Sequence, residues 1–185
     1  MIKDIFNQYE DKMKKAMEAL RKELSTLRAG RATPALLEKV MVDYYGTPTA
    51  VNQVANVSVP EPRTIVIQPW EKTMVPAIEK AIMKSDLGMN PNSDGAIIRL
   101  NIPQLTQERR QELVKQVHKK SEESRVTVRN LRRDANDAVK KLEKDKLISE
   151  DEAKKGQEDI QKLTDKYIKE VDAVMAAKEK EIMEV

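Results

Sequence analysis

All eight prolines of this 185-residue chain lie between Pro34 and Pro103, and that confinement divides the molecule. Proline lacks a backbone donor and clashes with the preceding helical turn, so no long helix runs through the middle of the chain. On either side it can. Residues 106–146 contain neither Gly nor Pro, room for a helix of about 60 Å at ~1.5 Å per residue.

The flanks carry the matching apolar patterns. Residues 2–28 place Phe6, Tyr9, Met13, Ala16, Leu20, Leu24 and Leu27 at steps of three and four, one face of an amphipathic helix. Gly30 is read as its stop, through the left-handed conformation that glycine tolerates. A second helix starts after Thr106, a suitable N-cap, with Glu108 in its first turn. Its stripe is Leu113, Val117, Val128, Leu131, Ala135, Val139 and Leu142. Ser149-Glu150-Asp151-Glu152 is a capping box that opens a third helix. That helix is striped by Ala153, Gly156, Ile160, Leu163, Tyr167, Val171 and Val174. None of the three stripes can bury itself, so residues 1–29 and 105–185 are expected to form a three-helix bundle.

Residues 31–104 have a different character. Lys39–Tyr45, Val51–Val59, Arg63–Trp70 and Ala96–Ile102 read as strands, and Met74–Lys84 as one helix. Gly46-Thr47-Pro48 reads as a turn, as do the segments 86–88 and 90–95. The class is therefore α+β: an elongated three-helix bundle with a small α+β domain inserted between the first and second helices. The chain crosses between the parts near Ala29-Gly30-Arg31 and Pro103-Gln104-Leu105, and two short linkers side by side would permit swinging or twisting.

The second helix has a chemically distinct arc beside its apolar stripe. At about 100° per residue, Arg125, Arg129, Arg132, Arg133, Asn136 and Lys140 fall together. No acidic residue lies between Arg125 and Arg133, and two of the i,i+4 pairs are like-charged, which costs stability. Arginine in such a ladder suits planar, bidentate phosphate recognition. The competing reading is pairing inside the chain. Residues 105–148 carry 13 basic and 8 acidic groups, whereas residues 149–185 carry 7 and 11, so the third helix could neutralise the second.

Other chemistry is excluded or muted. There is no cysteine, hence no disulfide framework or thiolate site. No Gly-rich phosphate loop, HExxH or nucleophile elbow occurs, so the chain reads as a non-enzyme without cofactor or metal. The single histidine, His118, reads as exposed, and Trp70 as core or rim packing. With 3% aromatic residues, stacking on single strands is poorly supported. Phosphate and shape recognition of double-helical RNA fits better. Neither a signal peptide nor a membrane span is apparent, and a soluble, cytosolic monomer is expected.

The segments TLRAGRATPALL, VDYYGTPT, EKAIMKSDLGMNPNSDGAIIRL, LTQERRQELVKQV and RVTVRNLRRDAND, in this order and spacing, resemble those of the bacterial ribosome recycling factor family. The resemblance covers essentially the whole chain. It implies an L-shaped molecule, a three-helix bundle carrying a β/α/β domain on a two-stranded hinge. It also implies binding to the post-termination ribosome and, with elongation factor G and GTP, separation of the subunits. By motif, Arg129, Arg132 and Arg133 would contact large-subunit ribosomal RNA, with Arg125 on the same arc and Arg110 and Arg28 nearby. Gly30, Arg31, Gln104 and Leu105 would form the hinge. Position 104 departs from the family pattern, which commonly has a second proline there. The alternative from another class is an adaptor whose basic helix pairs with acidic protein surfaces.

Overall fold

The computed structural model describes every residue except Arg28, Ala29, Asp86 and Val185. Two compact units are present: Met1–Ala29 together with Gln107–Val185, and Gly30–Thr106. The architecture is α+β and mostly helical, as the sequence predicts.

The first unit consists of three long helices, α1 (Ile2–Ser25), α4 (Gln107–Lys144) and α5 (Glu150–Met183), each packed on the other two. Met13, Met17, Leu20 and Leu24 of α1 face Leu113, Val117, Val128, Ala135 and Val139 of α4 and the buried stripe of α5. The gap between Val117 and Val128 in the predicted stripe is filled by Ser121 and Ser124, both buried. Leu131 is only half-buried, because the stripe has drifted past it towards Ala135. Gly156 is a close-approach residue. A Cβ there would lie 3.2 Å from Ile2 Cγ2 and 3.6 Å from Val139 Cγ1, so its bare backbone is what lets both neighbours in.

The helix ends follow local chemistry. The capping box at the start of α5 is formed: Glu152 N–H donates to Ser149 Oγ at 3.1 Å, and Ser149 N–H to Glu152 Oε1 at 3.4 Å. Helix α4 closes with Lys146 at φ 59°. There Lys146 N–H reaches Glu143 O and Leu147 N–H reaches Leu142 O, the paired bonds of a Schellman close. The expected stop of α1 at Gly30 is not observed: the helix ends at Ser25. The hydroxyls of Ser25 and Thr26 donate to the carbonyls of Lys22 and Glu23 at 2.6 Å each, satisfying acceptors that a further turn would have used.

The second unit holds a two-stranded sheet, β1 (Met41–Tyr44) with β2 (Thr47–Ala50), followed by one helical turn, α2 (Val51–Val54). A four-stranded antiparallel sheet has the order β3-β4-β6-β5, with β3 at Ala55–Glu61, β4 at Thr64–Pro69, β5 at Asn92–Ser93 and β6 at Ile98–Asn101. Helix α3 (Val75–Lys84) contributes Val75, Ile78 and Ile82 to the core, against Ile65, Ile67, Ile98 and Leu100. Three sequence expectations are corrected here. Thr47-Pro48 begins a strand rather than completing a turn, so the β1–β2 loop is Tyr45-Gly46 alone. Residues 51–54 are helical rather than extended. Asn92-Ser93 pairs with β6. Pro60 is tolerated inside β3 because that strand is an edge, and its register shifts between Ser58 and Glu61.

Candidate nucleic-acid interface

Helix α4 presents its arginines in three different environments, decided by where each falls relative to the core stripe. Arg110, Leu113 and Val117 are spaced by three and four, so Arg110 lies on the stripe itself. It is 8% exposed, and its Nη1 donates to the Met183 carbonyl at 3.4 Å. Its place is inside the bundle, contrary to the expectation of a surface contact. Arg125 follows the buried Ser124 and leans across to α5. Its Nε and Nη2 donate to Asp172 Oδ1 at 2.9 and 2.6 Å, its Nη1 to Glu122 Oε2 at 3.1 Å, and its side chain is 15% exposed. Burial draws its pKa down, but its bonds to Asp172 and then to Glu122 outweigh that, and the net shift is upward. For this residue the competing reading, pairing with the acidic helix, describes the geometry.

The remaining three form the outward group. Arg129 is exposed and touches Glu122 Oε1 only at 3.5 Å, a weak pair at that separation. Arg132 is half-buried and Arg133 exposed, and among the described residues neither makes an ion pair or hydrogen bond. Lys140 extends the same arc two turns on and is exposed. Positive charge at Arg132 and Arg133 is thus left unpaired among the described residues, with Arg129 only weakly paired, the condition under which a rigid helix attracts an anion. His118, exposed as expected, meets Glu179 Oε2 at 3.1 Å. Arg28 lies outside the described residues.

Residues 20–183 match the family model described as ribosome recycling factor. The chain belongs to the ribosome recycling factor family. It is similar to the ribosome-recycling factor of Syntrophomonas wolfei, 65% identical over 185 residues covering 100% of both chains. That of Heliobacterium modesticaldum is 68% identical over the same full lengths. Among solved structures it resembles a solution structure of the ribosome recycling factor, with TM-score 0.78 and 50% identity over 100% of this chain and 98% of that one. It also resembles a chain in models for the T. thermophilus ribosome recycling factor and the E. coli elongation factor G bound to the E. coli post-termination complex. That match has TM-score 0.65 and 46% identity, covering 100% of both chains.

Of the residues the ribosome recycling factor resemblance nominates as a hinge, Gly30 has φ +74°, and a Cβ there would stand 3.0 Å from Leu105 Cγ. Glycine at this position satisfies both the left-handed backbone and the close approach. Ala32 N–H donates to Pro62 O at 2.7 Å and Ile102 N–H to Arg63 O at 2.8 Å, so both connecting segments are tied to the β3–β4 loop. The side chain of Gln104 accepts from Arg63 Nη1 at 3.4 Å. Arg31 is exposed.

Trp70 departs from its sequence reading. It does not pack: it is 70% exposed. The signal was available, since Ile65, Ile67 and Pro69 alternate inward along β4 and the next residue must point out. Among the described residues, no helix is long and apolar enough to cross a membrane.

Proposed function

We propose that this chain binds the post-termination ribosome and, with elongation factor G and GTP, promotes separation of the subunits for a new round of translation. The observation that carries this reading is the end-to-end likeness to a factor placed with elongation factor G on such a complex. It acts as a translation factor and not as an enzyme, so the energy comes from the partner GTPase. Its place of work is the cytoplasm.

In this reading residues 1–29 and 105–185 are the RNA-binding part, and residues 31–104 are the part that receives the partner's push. Arg129, Arg132 and Arg133 contact the phosphates of large-subunit ribosomal RNA, supported by their shared arc and their lack of strong partners. Arg125 and Arg110 act indirectly, by holding α5 and the chain end against α4. The segments around Gly30, Arg31, Gln104 and Leu105 serve as the hinge.

Co-sedimentation with purified large subunits over a salt series tests the RNA-binding face. Removing one phosphate-binding arginine should flatten the slope of log affinity against log salt by about 0.9, taking the duplex-DNA value. Arg133→Ala should do so and keep its melting temperature. An unchanged slope and affinity in the Arg129→Ala/Arg133→Ala double variant would remove this face from the interaction.

A further inference from the structure

The inserted unit carries an exposed chemical group that the RNA reading leaves unused. The β1–β2 loop has two residues, Tyr45 and Gly46, with φ 51° and 85°. Positive φ at both central positions is the signature of a type I′ turn, which favours Asn or Asp followed by Gly. Asp43 Oδ1 accepts from Gly46 N–H at 2.8 Å and steadies the loop. A tyrosine at the first central position is strained, because its Cβ crowds the backbone in the left-handed region. Packing does not compensate for that strain, since Tyr45 is 78% exposed.

What the strain holds in place is a carboxylate frame. Tyr45 donates its phenolic hydrogen to Glu71 Oε2 at 2.8 Å, and Tyr44 donates to Oε1 of the same carboxylate at 3.1 Å. The two rings meet edge to face, 4.6 Å between centroids at 73°. The hydrogen bonds to Glu71, with its charge, raise both phenol pKa values. Among the described residues Glu71 has no ion pair, and its chain neighbour Lys72 forms none with it. Trp70, the residue before Glu71 in the chain, is exposed as well. If the cluster served only to pin the hairpin to the end of β4, Tyr44 would suffice and an Asn at position 45 would make the better turn. A strained, exposed residue at a bracketed carboxylate is better explained by recognition.

We propose that Tyr44, Tyr45 and Glu71 form a docking site for a lysine or arginine side chain of a protein partner. The carboxylate supplies the counter-charge and keeps lone pairs to spare after two phenols are bound. The aromatic faces add cation–π attraction. The same negative charge repels phosphate, which separates this surface from the arginine face of α4 and argues against RNA here. The assignment is independent of the ribosome reading.

Trp70 is the only tryptophan, so its fluorescence reports occupancy in the full-length protein. The probes are a short blocked peptide of alternating Gly and Arg, the same peptide with citrulline for Arg, and a single-stranded RNA oligonucleotide. The arginine peptide should shift the emission saturably and the citrulline peptide should not. Glu71→Gln and Tyr45→Asn should each weaken the arginine peptide by about tenfold, the effect of removing one charge-assisted or cation–π interaction. Tyr45→Asn should also melt higher than the parent protein, because Asn accepts the left-handed turn. No saturable shift, binding untouched by both substitutions, or a shift produced by the RNA instead would overturn the proposal. So would a Tyr45→Asn protein that melts no higher.

Discussion

Arg125 and Arg133 stand eight residues apart on one helix and should fail in opposite ways. Removing Arg125 takes away two bonds to a single oxygen of Asp172, at 2.9 and 2.6 Å, and one to Glu122 at 3.1 Å. Bonds to charged groups contribute about 1.5–3 kcal/mol net where they are shielded. The arginine is shielded, at 15% exposure, but Asp172 and Glu122 are more than half exposed and regain water when it leaves. That rehydration pulls the cost towards the surface-pair range of about 0.2–1 kcal/mol, while removal of the aliphatic stem from the α4–α5 seam pushes it back up. About 1.5 kcal/mol is the balance, or about 3–6 °C in melting temperature for a chain of this size. Arg125→Ala should show that drop by circular dichroism. An Arg125→Ala/Asp172→Ala cycle should return a coupling of about 0.5–1.5 kcal/mol. Arg133→Ala, exposed and unpaired among the described residues, should melt like the parent and bind large subunits less well. An Arg125→Ala protein that melts within a degree of the parent, yet binds ribosomes as poorly as Arg133→Ala, would refute this division of roles.

Four further outcomes are expected. Ile160→Ala, at a fully buried site, should cost about 2–5 kcal/mol, and half-buried Leu131→Ala less than about 2 kcal/mol, by chemical denaturation. Lys146→Gly should stabilise the bundle by about 1 kcal/mol, because φ 59° strains a side-chain-bearing residue but not glycine. Spectrophotometric titration should show three phenols ionising above 10.0, and two of them, Tyr44 and Tyr45, returning towards it in Glu71→Gln, while Tyr167, raised by burial, stays. The folded pKa values of Tyr44 and Tyr45 are raised, so the hairpin's tie to Glu71 is complete below pH 10.0 and disappears as pH rises through the elevated values. Gln104→Pro fixes φ near −65° and removes the bond to Arg63. Because the family resemblance implies proline at this position, it should leave both large-subunit co-sedimentation and subunit splitting with elongation factor G and GTP near the parent's. Slowed splitting would show that the bond to Arg63 serves the hinge. Proline at Gly30 would be the wrong probe, since φ +74° there excludes it.

The bundle was legible because helix formation and apolar spacing are local properties. Stripes at steps of three and four, a proline-free run and a Ser-x-x-Glu box name three helices whatever they pack against. The confinement of proline marked the inserted segment for the same reason. What the stripes do not carry is which arginine meets which neighbour. Arg110 reads as surface by charge, yet it shares the phase of Leu113 and Val117, and burial follows phase. Arg125 and Arg129 are one turn apart and chemically equal, but only Arg125 lies within reach of Asp172, forty-seven positions further along the chain. The end of α1 was misplaced because hydroxyls of Ser25 and Thr26 compete for carbonyls more cheaply than a glycine four residues on can terminate the helix. The carboxylate frame at Glu71 was invisible for a related reason. It needs a two-residue loop to deliver Tyr45 to a strand end twenty-six positions away, and only the folded sheet sets that distance.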